Sequence, residues 1–312
     1  MVEDNQIKAQ VSPFAIREGE IKTFDGKDGY VSMNQIVHKI NIGHITDIHF
    51  EILDLVNEFE FITSRQLFQM LQIKGIDPKS QDKLNNKLDA LVKSKILTRY
   101  YFTSDEGKGI YRIYCLEKMG KYLLTSKEID CKWQPSDNTK PVPMIKKRLA
   151  GNQVLLAYLR KVKAFDSYIV KPALTAKTVG KVFKATGGAV KLTKNGKSIQ
   201  FLFEVFRREN DWQKKLVEKM NLYKDFYENF VPGDSGFAGI PQLIFVCEDE
   251  KHMVETLKTI VTNRMEIPGI KTLFTTDLRQ NSETLEKSLV EFKIDEATGK
   301  YKKEEIDLKL LG

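Results

Sequence analysis

The sequence predicts an α+β protein with two domains, a helical domain that ends in a β-hairpin and an α/β sandwich with a mixed sheet. Three observations support this fold class. Apolar residues recur at helical spacing three times between residues 45 and 92, and two β-rich runs follow them. Asn195-Gly196 joins two further strand-like runs, and Gln242–Cys247 is almost continuously apolar, as in a strand buried on both faces. A chain of 312 residues with 41% hydrophobic content is long enough for about two such cores.

Three helices are expected in the first domain. The first begins near Ile45, where apolar residues follow a helical period over about three turns. The second begins at Thr63-Ser64-Arg65-Gln66, a capping-box pattern. The third is predicted to begin at Asp77-Pro78, because Asp suits the N-cap and Pro the first helical position. Its core face consists of Leu84, Leu88, Leu91 and Val92.

The third helix should carry a polar, mostly basic outer face. Rotation by about 100° per residue places these residues on it: Lys79, Lys83, Asn86, Ala90 and Lys93, with Asp82 and Asp89. Cationic and amide side chains on one helix face are suited to phosphates and base edges in a major groove. The two aspartates count against this interpretation, and a polar helix face is more often simply solvated.

Two β-rich runs, 96–102 and 110–114, flank the polar loop 103–109 and predict a hairpin, followed by a helix near Glu117. Three helices and a hairpin in this order are typical of a winged helix. Such a wing would contact the DNA backbone through Lys108, Arg99 or Arg112. Winged helices also mediate protein–protein contacts, so that alternative stays open.

Positive charge is concentrated in a second hairpin. The chain carries a net charge of +8, which favours a polyanionic partner. Seven lysines and no acid occur between residues 171 and 198: Lys171, Lys177, Lys181, Lys184, Lys191, Lys194 and Lys197. Lys191, Lys194 and Lys197 are candidate phosphate contacts. Equally, the lysines would keep an exposed sheet from aggregating.

Changes in composition divide the chain. Residues 1–40 are expected to form an arm, disordered in part, and residues 41–126 the winged helix. Residues 127–145 contain Asp, Asn, Ser and Pro without apolar periodicity and predict a linker. Residues 146–295 form the second domain and 296–312 a tail. The predicted helices of the second domain are 146–161, 211–230, 249–263 and 282–288, and its predicted strands are 167–171, 189–193, 198–206, 242–247 and 271–275.

The segment FLFEVFRRENDWQKKLVEKMNLYKDFYENF, together with the preceding winged helix, linker and helix, resembles the replication-relaxation family of plasmid and mobile-element proteins. The second domain of that family is similar to the PD-(D/E)xK restriction-endonuclease fold. The resemblance implies that Glu204, Arg207, Lys219 and Tyr223 correspond to the sheet acid, arginine, helix lysine and tyrosine that recur in the family. It covers roughly residues 45–290 in organisation.

The nuclease pattern is incomplete in this sequence. Metal-dependent cleavage needs at least two carboxylates that converge on Mg²⁺. The candidate Pro172 is followed by Ala173, and Phe206 stands where the pattern requires a lysine or second acid. We therefore expect Glu204 and Lys219 to be vestiges of a catalytic site, and we expect no bound metal or other cofactor. We expect a Mg²⁺ site only if Asp166, Glu209 or Asp211 replaces the missing acid.

These observations predict a double-stranded-DNA-binding protein that acts in plasmid or mobile-element replication or transfer without catalysis. The alternatives are a Mg²⁺-dependent endonuclease or nickase, and an adaptor that binds other replication or transfer proteins. A homodimer is compatible with each. The three cysteines lack Cys-x-x-Cys spacing, no apolar run is long enough for a bilayer, and the start has no signal-peptide character. These features predict a cytoplasmic location without membrane contact.

Overall fold

The computed structural model describes residues 11–104, 107–282, 284–294 and 301–307, and it is a mixture of helices and sheets as predicted. The first half contains helices that pack on a small antiparallel sheet. Its elements are β1 (Ile21–Phe24), α1 (Met33–Asn41), α2 (Asp47–Phe59), β2 (Ile62–Thr63), α3 (Ser64–Ile73), α4 (Gln81–Lys93), β3 (Leu97–Ser104), β4 (Gly107–Leu116) and α5 (Lys118–Ser126).

The third predicted helix, α4, begins later than the sequence indicated. The Asp77 side chain accepts a hydrogen bond from the backbone N–H of Lys79 at 2.7 Å, and Lys79 has a positive φ of 69°. The predicted cap thus forms a tight turn instead. Ser80 is the actual N-cap, because its Oγ accepts from the N–H of Lys83 at 3.2 Å. Lys79 therefore precedes the helix and does not lie on its outer face. By contrast, α3 begins at the predicted capping box of Thr63 and Gln66.

The small sheet has the strand order β1-β3-β4-β2, and each neighbouring pair is antiparallel. The hairpin β3–β4 is confirmed, but its predicted loop 103–109 is too long. β3 continues to Ser104 and β4 begins at Gly107, and residues 105–106 lie outside the described part of the chain. β1, from the predicted N-terminal arm, adds an outer strand to this hairpin.

The second half is built on a larger mixed sheet. Its helices are α6 (Val142–Lys161), α7 (Trp212–Glu228), α8 (Glu250–Thr262) and α9 (Asp277–Asn281). Its strands are β5 (Phe165–Ile169), β6 (Ala173–Ala176), β7 (Lys181–Lys184), β8 (Ala189–Lys194), β9 (Lys197–Val205), β10 (Gln242–Cys247), β11 (Leu273–Thr276), β12 (Leu289–Ile294) and β13 (Tyr301–Ile306). The sheet order is β13-β12-β11-β10-β9-β8-β5, and β9, β10 and β11 are parallel neighbours.

Two expectations for the end of the chain were wrong. A helix was predicted over residues 282–288, but α9 ends at Asn281 and the described residues 284–288 form turns and bends. Thr276 begins α9 early by accepting a hydrogen bond from the N–H of Arg279. The predicted tail 296–312 contributes β13, which pairs with β12. Residues 296–300 and 308–312 are outside the described ranges.

Helices cover both faces of the larger sheet. Phe203 of β9 points toward α6, where its ring lies 5.2 Å from that of Tyr158. The next residue, Glu204, points to the opposite face and accepts a hydrogen bond from Tyr223 of α7. α6 approaches the sheet closely at Gly151, where an added Cβ would lie 2.6 Å from the carbonyl oxygen of Thr186. The alternation along β9 thus aims Glu204 at α7.

The segment between the two halves is held by hydrogen bonds. A 3₁₀ helix covers Pro135–Thr139, and α6 begins at Val142, four residues before the predicted start. The buried side chain of Asn138 donates to the carbonyl oxygen of Leu116 at 2.8 Å and accepts from the indole N–H of Trp133 at 3.1 Å. One continuous hydrophobic cluster includes residues of both halves. Within the described residues, no helix is both long and apolar enough to cross a bilayer.

Candidate nucleic-acid interface and buried carboxylate cluster

The outer face of α4 is exposed along its whole length. Lys83, Asn86, Ala90 and Lys93 are spaced three, four and three residues apart, so they follow one side of the helix, and all four are exposed. The opposite side, which includes Leu84 and Leu88, is buried as predicted. We refer to these four residues as the outer row of α4.

Asp89 is turned toward the hairpin. Its carboxylate forms an ion pair with Arg99, whose Nε also lies 2.8 Å from a carboxylate oxygen of Asp25. The Arg99 side chain is only 15% exposed, so it supports the sheet and is not a surface contact. Arg112 is 59% exposed, and its Nε lies 3.0 Å from Asp25. The side chain of Lys108 lies outside the side chains that the structure describes.

The lysine-rich hairpin β8–β9 forms as predicted, and Asn195 and Gly196 both have positive φ at its turn. Lys191 is half-buried, and its Nζ lies 2.8 Å from Asp166 of β5. Lys194 and Lys197 are opposite each other beside the turn and are exposed. The positive charge at the tip of this hairpin is therefore accessible to solvent.

Glu204 is enclosed by hydrogen-bond donors. Its side chain is 2% exposed, and one carboxylate oxygen accepts from the hydroxyl of Tyr223 at 2.5 Å. The other oxygen accepts from the hydroxyl of Thr186 at 2.8 Å, while the Thr186 N–H donates to the first at 3.3 Å. The Nζ of Lys219 lies 3.6 Å from the carboxylate and donates to the carbonyl oxygen of Lys184 at 2.6 Å.

This arrangement holds the Glu204 carboxylate and leaves little of it accessible to a substrate. Burial and the neighbouring Glu204 charge raise the pKa of Tyr223 well above its usual value, so Tyr223 stays a hydrogen-bond donor. Phe206, on the same side of the sheet, packs against Phe245 with ring centroids 5.6 Å apart. An apolar ring thus occupies the side on which the nuclease pattern places its next polar group.

The three acids considered as replacements for a missing ligand do not join Glu204. Glu209 pairs with Lys147 and with Lys215, the latter at 3.0 Å. Asp166 pairs with Lys191, and Asp211 is the exposed residue that precedes α7. Within the described ranges, no group of three or more His, Cys, Asp or Glu side chains is arranged to hold a metal ion.

A second buried polar cluster was not predicted. The guanidinium of Arg207 forms two hydrogen bonds with Asp277, at 2.9 and 3.0 Å, and both side chains are buried. Ser12 also donates to Asp277. Burial raises the pKa of Asp277, although the charge of Arg207 opposes this effect. Arg207 had been singled out from the family resemblance, whereas Asp277 gave no signal beyond following a buried strand.

A large cleft lies between the two halves of the chain and was also not predicted. It has a volume of about 890 Å³. α3, α4 and the hairpin β3–β4 form much of its wall. Gln81, Asn85 and Asp89 line it from α4 at intervals of four residues, which is the only sequence signal that could have indicated it. Gln153 and Asn281 line it from the second half of the chain.

Comparison of the chain with protein-family models gave no match, and comparison with curated proteins gave no significant match. The functional interpretation therefore depends on the residues, contacts and charges described above.

Proposed function

We propose that this protein binds double-stranded DNA without cleaving it, and that it acts in plasmid or mobile-element replication or transfer. The observation that carries the proposal is the outer row of α4, because its lysines and amide stand on one exposed helix face. A helix face of this kind can enter a major groove, where amide groups meet base edges and lysines meet phosphates. The binding would be electrostatic first, through release of counterions from the DNA.

The surroundings of α4 support a winged helix. α2, β2, α3, α4 and the hairpin β3–β4 follow one another in that order, and β2 pairs with β4. Asp89 had counted against DNA binding, but its charge is matched by Arg99. Asp82 remains as the exposed acid beside the outer row. Arg112 on the hairpin is exposed and suits a backbone phosphate.

The second half supports a nuclease-like fold that has lost its activity. β5, β8 and β9 are antiparallel neighbours, α7 follows them, and β10 returns parallel to β9. We take this order as support for the proposed nuclease-like fold. The burial of Glu204 and its hydrogen bonds to Tyr223 and Thr186 favour a structural role for the acid. The exposed lysines of the β8–β9 hairpin would then add contacts to the DNA backbone.

Duplex binding tests the proposal. We expect Lys83→Ala/Lys93→Ala to weaken binding of a labelled duplex and to reduce the slope of log K against log salt by about one per lysine. Fluorescence anisotropy between about 50 and 200 mM salt measures both quantities. Lys251→Ala/Lys258→Ala is the matched control, because it removes two exposed lysines from α8. Equal effects of the two double variants would contradict a specific role for α4.

A plasmid assay tests for catalysis. Supercoiled plasmid incubated with the protein and Mg²⁺ should remain supercoiled. Nicking that is abolished by Glu204→Ala would overturn the non-catalytic part of the proposal and support an endonuclease.

A further inference from the structure

The large cleft has walls of different origin. α3 contributes Arg65 and Gln69, α4 contributes Asn85, and the hairpin contributes Tyr111. The opposite wall comes from distant parts of the chain: the N-terminal segment contributes Pro13 and Phe14, α6 contributes Gln153, and Asn281 lies at the end of α9. A concave site of about 890 Å³ falls within the usual range for binding pockets.

Amide side chains dominate the polar part of this wall. Gln69, Gln81, Asn85, Gln153 and Asn281 all line the cleft. A primary amide carries a donor and an acceptor, the combination that pairs with the hydrogen-bonding edge of a base, although the Oε1 of Gln153 already accepts from Gln66 and the Nε2 of Gln81 already donates to the carbonyl oxygen of Ser64. Two of them are joined, because the Nε2 of Gln81 donates to the Oδ1 of Asn85 at 3.2 Å. Among the described residues, none accepts a hydrogen bond from the amino group of Asn85, which faces the cleft as a donor for a ligand.

One amide has an unmet hydrogen-bonding need. Within the part of the chain that the structure describes, the Oε1 of Gln69 is buried and has no hydrogen-bond partner. Buried polar atoms in proteins are nearly always paired, and this oxygen would meet a donor from the cleft if a rotation of the Gln69 side chain brought it to the surface. A base amino group or ring N–H is such a donor.

The charges around the cleft favour an anion. Its two carboxylates are already paired, Asp89 with Arg99, and Asp25 with Arg99 and Arg112. Among the described residues, Arg65 has no acidic partner and is exposed. The two aspartates and two arginines that line the cleft sum to zero net charge, but because both aspartates are paired, the charge of Arg65 remains available to attract a phosphate.

The shape of the cleft distinguishes it from the outer row of α4. A duplex is read by a convex element that enters its groove, whereas an unpaired base must be received in a concave site that reaches its free edge. Gln81, Asn85 and Asp89 lie on the side of α4 that faces the cleft, and Asn86 lies on the outer row. One helix thus presents two different polar faces.

We propose that this cleft binds an unpaired segment of nucleic acid, with its bases against the amides and a phosphate at Arg65. Tyr101 and Tyr111 line the same cleft and suit contact with base rings, whereas Phe14, which also lines it, is buried against Tyr111. This inference rests on the proposed function, since it places a melted or single-stranded part of the target beside the duplex-binding helix. It adds a second binding mode that the outer row of α4 does not provide.

The test compares single-stranded and duplex oligonucleotides of the same sequence, using the full chain and fluorescence anisotropy. We expect Asn85→Ala to weaken binding of a labelled 12-nucleotide single strand at least tenfold and to leave duplex affinity within about threefold. Asn86→Ala, the same change one residue further along α4, should instead weaken duplex binding and leave the affinity for the single strand nearly unchanged. Arg65→Ala is a second variant, and because the Arg65 side chain is exposed, we expect its removal to change the free energy of unfolding by less than about 0.5 kcal/mol.

The outcomes separate this inference from the proposed function. Duplex binding without single-strand binding would overturn the cleft proposal and leave duplex recognition in place. Single-strand binding that neither Asn85→Ala nor Arg65→Ala reduces would place the strand elsewhere and also overturn it. Absence of both kinds of binding would overturn both proposals.

Discussion

Replacing Glu204 by alanine tests whether this acid is structural or catalytic. In the folded protein its carboxylate accepts hydrogen bonds from Tyr223 and Thr186 and lies near Lys219. If Glu204 exists to hold α7 on the sheet, its removal should lower the free energy of unfolding. Acids kept for catalysis commonly have the opposite effect, because function places them in an environment that is unfavourable for folding.

The size of this loss in unfolding free energy depends on which hydrogen-bond donors keep a partner. Thr186 can still donate to the carbonyl oxygen of Val205 at 3.2 Å, and Lys219 to that of Lys184. Tyr223 is completely buried and loses its hydroxyl partner, which costs about 1–3 kcal/mol. Loss of side-chain packing adds to this, and release of a buried charge subtracts from it. We expect a net destabilisation of about 2–4 kcal/mol.

Urea denaturation followed by circular dichroism measures this loss. Glu218→Ala, an exposed change on the same helix α7, is the control and should stay within about 0.5 kcal/mol of the original protein. Adding Tyr223→Phe to Glu204→Ala should recover part of the loss, because it removes the unpaired hydroxyl. An unchanged or increased stability of Glu204→Ala would refute the structural interpretation.

Two further predictions concern the larger domain. Gly151→Ala should destabilise the protein by about 1–3 kcal/mol, because its Cβ would lie 2.6 Å from the carbonyl oxygen of Thr186, whereas Gly239→Ala enters open space and should change urea stability by less than about 0.5 kcal/mol. Burial lowers the pKa of His252 to about 3, and the positive charge of Arg208 adds to this effect. The folded state therefore keeps His252 neutral, whereas the unfolded chain takes up a proton below about pH 6.5. The contribution of neutral His252 to the free energy of unfolding is thus present above that pH and is lost as the pH falls toward 3. Between pH 6.5 and 5 the expected loss in unfolding free energy is about 1.6 kcal/mol, and urea denaturation of His252→Gln over this pH range should lack this part of the pH dependence.

Local chemistry accounts for the elements that the sequence predicted well. The Asn195-Gly196 turn, the capping box before α3 and the apolar stripe of α7 depend on residues close together in the chain. The start of α4 was misplaced because Asp77 and Ser80 both suit an N-cap, and only the fold decides between them. β13 was missed because its sequence, Tyr-Lys-Lys-Glu-Glu-Ile, is highly charged, as the edge strand of a sheet often is.

The candidate sites also differ in how far local sequence predicts them. Periodicity was sufficient to predict the outer row of α4, because exposure along a helix repeats with the helical turn. It could not predict the cleft, whose wall combines residues as distant as Pro13, Asn85 and Asn281. The sequence identified Glu204 as an unusual acid in a strand, but its burial depends on Thr186 and Tyr223, which approach it from two other elements.

The N-terminal segment links the hairpin and the cleft to the second half of the chain. Ser12 donates to Asp277, and the N–H of Ile16 donates to Glu248 at 3.1 Å, both beyond the carboxyl ends of parallel strands. Pro13 in the same segment accepts from the hydroxyl of Tyr111 at 2.9 Å and lines the cleft. One short stretch of chain is thus bonded to the sheet on one side and to the hairpin on the other. Because the cleft lies where these contacts meet, a strand bound there would depend on how the second half of the chain is positioned.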